Sequence, residues 1–318
     1  MSVMRKAFVR PTGGLRAGWR YVLFVLAVLV ADLGMSVVVR ALDLPPLRTD
    51  TGLVLPGALL ARGLLGLGLT LVVTAAFCRL LEKRPLSSVG LPVHAPWWKD
   101  IAAGFLLGAA PVTLLVVLLA ATGHASVSLA SWTPAVFFGS WLPMAVGLAL
   151  VSSQEELLLR GYGLQTLADG GGRWFAAIFT GVLFGLMHAG NPGANLLGIA
   201  NTAVNAVLLA WLVLRTGSLW MACAYHAGWN LTGAMVFGMR LSGLDPIGGL
   251  LSTRLSGAAW LSGGSYGFEG SALAGPLELV VLGLAVGFAS RLPSHPKLLR
   301  YFGAPHPAGA ADLGSEAA

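Results

Sequence analysis

The stretch PAVFFGSWLPMAVGLALVSSQEELLLR, residues 134–160, decides how this chain folds. It carries no charge from Pro134 to Gln154. An uninterrupted run of about 20 such residues is what an α-helix needs to cross a bilayer core. The run then meets two adjacent carboxylates, Glu155 and Glu156, with Arg160 four residues beyond. Ionisable groups inside a membrane segment cost several kcal/mol unless they are paired or face a cavity, so these three mark a place where the chain does something.

The rest of the chain agrees. Of its 318 residues 56% are hydrophobic and only 10% charged, against about 25% charged in a soluble domain. Mean hydropathy is +0.78. These values exclude a disordered chain, a soluble nucleic-acid binder and a coiled coil, and the net charge of +7 is spread too thinly to form a nucleic-acid patch. Cys78 and Cys223 lie in apolar runs at no metal or disulfide spacing and read as small buried hydrophobes. The 43 glycines suit helices that approach closely in lipid.

Eight stretches read as spans: Tyr21–Val39, Gly57–Cys78, Ile101–Thr122, Pro134–Leu159, Trp174–Ala189, Leu196–Leu214, Leu219–Phe237 and Leu273–Phe288. The expected fold is therefore all-α, a polytopic transmembrane bundle of about eight helices. With the N-terminus inside, Arg40, Arg48, Arg62, Arg240 and Arg254 fall outside or at the outer edge, and the other 15 of the 20 basic residues fall inside. That asymmetry puts both termini in the cytoplasm. Trp97 and Trp98 stand where an interfacial aromatic belt belongs. The chain divides into a basic cytoplasmic tail (1–20), N-terminal transmembrane helices (21–133), a core (134–237), an external Gly/Ser-rich loop (238–271), a C-terminal transmembrane helix (272–302) and a disordered tail (303–318). The location is an integral, multi-pass one, expected in a bacterial cell membrane.

Asp32 and Glu278 stand alone in their spans and read as structural hydrogen-bonding groups. The other ionisables cluster. Glu156 and Arg160 are spaced for an ion pair on one helix face; Glu155 lies about 100° around the helix, free for another partner. Phe184 with His188, and His226 with Asn230, each share a face. Helix rise puts Glu155 about 18 Å from an inner end near Leu167, His188 about 22 Å from Arg173 and His226 about 14 Å from Gly217. The three then share a layer, provided the fourth helix continues past Arg160.

These residues resemble the CAAX-prenyl-protease and bacteriocin-processing family of intramembrane proteases. Its Glu-Glu-x-x-x-Arg motif matches Glu155, Glu156 and Arg160, followed by Gly161-Tyr162. Its Phe-x-x-x-His matches Phe184 and His188, and its His-x-x-x-Asn matches His226 and Asn230. The resemblance implies an endopeptidase acting on a membrane-associated protein or peptide within the lipid bilayer, with no nucleic acid. In it Glu155 is the general base, His188 orients the water, His226 and Asn230 hold the oxyanion, and Glu156, Arg160 and Phe184 support them. The family is commonly described as metalloproteases, and Glu155, His188 and His226 would then be the ligands of a possible zinc; a metal-free version uses the same residues. Competing readings are a catalytically silent immunity or scaffold protein and a proton-coupled transporter. The intact motif set speaks against the first, and the absence of an inverted repeat against the second.

Overall fold

The computed structural model describes residues 14–41, 43, 45–50, 53–92, 97–287, 292 and 294–302. The disordered tail expected at 303–318 and residues 1–13 of the basic tail lie outside these. Every expected span is a helix: α1 (Ala17–Ala41), α2 (Pro56–Leu80), α3 (Trp97–Ala121), α4 (Pro134–Gly171), α5 (Arg173–Met187), α6 (Leu196–Thr216), α7 (Leu219–Asn230) and α8 (Ala274–Gly287). α1 to α4 and α6 are long and apolar enough to cross a membrane. α1 starts at Ala17, inside what the sequence suggests is tail. Leu29, Val30 and Leu33 on α1 are 59%, 69% and 66% exposed, which in a bilayer is a lipid-facing surface.

α4 does run past Arg160. It does so through a π-helical turn, Leu157–Gly163, in which Gly161 leaves helical geometry at φ −49°, ψ −120°. α7 likewise continues into a π-helical turn, Leu231–Val236, directly after Asn230. α5 is only 15 residues, about 22 Å, so it stops short of a roughly 30 Å hydrocarbon core. Its end passes into a single tight turn, His188–Gly190, and then irregular chain. Non-helical backbone at such a depth is stable only where protein or a water-filled cavity surrounds it.

The helices alternate in direction, so the bundle has two distinct ends. At one, α1 begins, α2 ends, α3 begins, α4 ends and α5 begins. Arg20 there bridges Glu82 and Asp169, the Tyr162 hydroxyl donates to Glu82 at 3.0 Å and Arg84 donates to Gln165 at 2.6 Å. The chain returns to this end after α8, where His295 Nε2 meets Asp100 at 2.7 Å and Ser218 donates to the same carboxylate at 2.6 Å. The fold is all-α as expected, with one small local addition at the opposite end. A short two-stranded antiparallel sheet joins β1 (Ala125–Leu129) to β2 (Leu251–Leu255), the latter within the stretch expected to be a Gly/Ser-rich loop. That stretch is a packed cap: Tyr266 and Phe268 are fully buried and Arg240 grips Asp245 through two hydrogen bonds of 2.7 and 2.8 Å.

Glycines set which helices touch. A Cβ on Gly108 of α3 would lie 2.0 Å from Tyr225 O of α7, and one on Gly104 2.2 Å from Met221 O. A Cβ on Gly147 of α4 would lie 2.9 Å from Leu60 N of α2. Such close backbone approach is how helices associate in lipid, where no hydrophobic driving force separates protein from solvent. It presses α7 and α4, the carriers of two motifs, against α3 and α2.

Candidate active site

Glu155 and Glu156 occupy different environments, as their helix spacing requires. Glu156 is fully buried, while the Glu155 side chain is 30% exposed. Arg160, also fully buried, approaches Glu156 Oε1 at 3.3 Å, donates from Nη2 to the Ala206 carbonyl of α6 at 3.1 Å and lies 5.1 Å from the Phe184 ring centroid. Phe184 therefore covers the guanidinium with its π face, a contact that strengthens when desolvated.

The spacing pairs Glu156 only with Arg160. Its same oxygen, Oε1, also takes a hydrogen bond from His226 Nδ1 at 2.9 Å. A carboxylate acceptor at Nδ1 holds the proton there and fixes the ring's orientation. The other nitrogen, Nε2, lies 3.8 Å from Glu155 Oε2. His226 thus stands between the two glutamates, one nitrogen to each, with Phe184 edge-on to it at 5.7 Å.

His188, at the C-terminal end of α5, places Nδ1 2.9 Å from the Phe184 carbonyl. That carbonyl can only accept, so the neutral ring is protonated at Nδ1 and leaves Nε2 as an acceptor. Asn230 donates from Nδ2 to Ser152 Oγ at 2.9 Å, and Ser152 passes its own proton to Leu148 O at 2.8 Å. The two bonds orient the amide. Ser152 carries no motif signal, because serines in apolar helices mostly bond back to their own chain; its part becomes visible only once α7 lies against α4.

Glu155, His188, His226 and Asn230 line one cavity of about 310 Å³, with Phe184 in its wall. The wall also includes Arg62 of α2, Asn191, and Ser242 and Glu269 of the cap. Glu269 joins cap to core: Oε1 accepts from Trp229 Nε1 of α7 at 3.0 Å, and Oε2 accepts from Ser242 N and Oγ, both at 2.6 Å. Glu278, a lone acid in sequence, is fully buried and accepts from Asn205 and from Tyr225 at 3.0 Å, a hydrogen-bonding group as expected.

The trio expected for zinc is not drawn together as a metal set. Among the described residues, no group of three or more His, Cys, Asp or Glu side chains is placed to hold a metal ion. Glu155 and His226 Nε2 are neighbours at 3.8 Å, while His226 Nδ1 is committed to Glu156.

A family model described as Type II CAAX prenyl endopeptidase Rce1-like matches residues 137–232, 96 of the chain's 318. No curated protein matches the chain. The match begins in α4 and ends just past Asn230, so it takes in all three motifs and the helices that carry them. Residues 137–232 are thus similar to an Rce1-like, type II CAAX prenyl endopeptidase domain.

Proposed function

We propose that the chain is an intramembrane endopeptidase that hydrolyses peptide bonds of membrane-associated polypeptides with a water activated by Glu155. The observation that carries this reading is the pair of distances at His226: 2.9 Å to the buried Glu156 and 3.8 Å to the cavity-facing Glu155. One carboxylate is consumed in structure and the other is left at the cavity, a division of labour that catalytic carboxylate pairs use.

Glu155 takes a proton from water, whose oxygen adds to the scissile carbonyl carbon. His188, with Nε2 free to accept, orients that water. The negative oxygen that forms is met by the Asn230 amide and by His226. With Glu156 and Glu155 ionised and Arg160 charged, a protonated His226 leaves the cluster neutral and offers an Nε2–H to the oxyanion. Donors fixed in advance in a water-poor site are what stabilises such an intermediate. Collapse breaks the C–N bond, and the proton held on Glu155 passes to the leaving amine. Every step here is carried by the chain's own side chains.

Purified protein tests the reading when chelation, elemental analysis and cleavage of quenched membrane peptides are followed on one sample. Cleavage that persists without bound metal and disappears in Glu155→Gln is the expected result. Loss of cleavage on removing stoichiometric zinc, with recovery on its return, contradicts it.

A further inference from the structure

We propose that the cavity is reached from the non-cytoplasmic side of the membrane, and that its substrates are segments of exported or membrane-anchored polypeptides on that side. This rests on the proteolytic reading above and adds the direction of access and the class of substrate.

The two ends of the bundle differ in charge. Setting aside buried Arg160, ten of the described lysines and arginines lie at the end where α1 begins and α4 ends, and five at the end that carries the β1–β2 cap. Residues 1–13 add Arg5, Lys6 and Arg10 in sequence just before α1. Basic residues in short connections remain cytoplasmic, so the cap faces away from the cytoplasm.

The cavity lies in the half of the bundle that carries the cap. Its outer wall is built from the connections at the cap end: Leu47, Asn191, Leu241, Ser242 and Leu244. Towards the cytoplasmic end the buried Glu156–Arg160 pair closes it. Behind that, Tyr162 packs against Phe24 and Phe77 at 4.9 and 5.5 Å, and the Arg20 bridges to Glu82 and Asp169 follow. A peptide approaching from the cytoplasm would have to part all of these layers. From the cap side it meets amide and hydroxyl groups that suit a peptide backbone, with Arg62 on the wall.

Impermeant maleimide labelling of spheroplasts decides the direction. The native Cys78 and Cys223 are buried and serve as background. Arg62→Cys should label in intact spheroplasts as fully as after permeabilisation, and Lys83→Cys only after permeabilisation. In the same cells, comparison of protein N-termini between the native chain and Glu155→Gln should show Glu155-dependent ends on outward-facing segments of other proteins. Arg62→Cys labelled only after permeabilisation, or Glu155-dependent ends on cytoplasmic segments, overturns the proposal. Outward labelling with no Glu155-dependent ends in any protein overturns the proteolytic reading and the substrate class with it, while the direction of the opening stands.

Discussion

At the scale of single residues the site is a contrast between two adjacent glutamates. Removing Glu155 takes away a group that faces a cavity and touches one partner at 3.8 Å. Glu155→Gln should therefore lower cleavage by about 10²- to 10⁴-fold, the range general-base loss produces, without altering the melting temperature in detergent. Glu156→Ala strands Arg160 and releases His226 Nδ1. Breaking a buried pair in this way costs about 3–5 kcal/mol, so this variant should lose stability as well as activity, which thermal unfolding reads directly. Asn230→Ala should cost about 10²- to 10³-fold in kcat, as loss of an oxyanion donor does; an effect confined to KM would remove Asn230 from that role. The pairs Glu156–Arg160, Phe184–His188 and His226–Asn230 were legible in the sequence because i,i+4 spacing puts each on one helix face, with Glu155 turned about 100° away. The bond between Glu156 and His226 was not, since it joins residues 70 apart and depends on how α7 rotates against α4.

At the scale of elements the eight apolar stretches announce themselves by length, and each becomes a helix, though α4 runs twelve residues beyond its expected end at Leu159, to Gly171. Two features escape that signal. The π-helical turns after Glu156 and after Asn230 add a residue to the turn without any change in hydrophobic pattern, and such turns occur often at functional sites. The β1–β2 pair joins segments more than a hundred residues apart, and five-residue strands leave too short an alternation to read. Helix contact is where sequence and site meet most closely. Gly108→Val would place a Cβ 2.0 Å from the Tyr225 carbonyl, and overpacking of that kind costs about 1–3 kcal/mol. Displacing α7 also displaces His226 and Asn230, so the variant should lose cleavage and melt earlier; native activity at native stability would contradict the role assigned to this contact.

At the scale of the whole molecule the bundle has two unlike ends, and the cavity lies in the half that carries the cap. Reporter fusions after Glu82 should report the cytoplasm and those after Gly249 the opposite side; the reverse pattern would refute the orientation drawn from the basic residues. The direct test of the central claim is cleavage of a membrane-peptide library by purified protein, with products identified by mass spectrometry for the native chain and for Glu155→Gln prepared alike. Internal peptide-bond cleavage by the native chain, and none above background by the variant, is the expected result. Equal cleavage by both would contradict it.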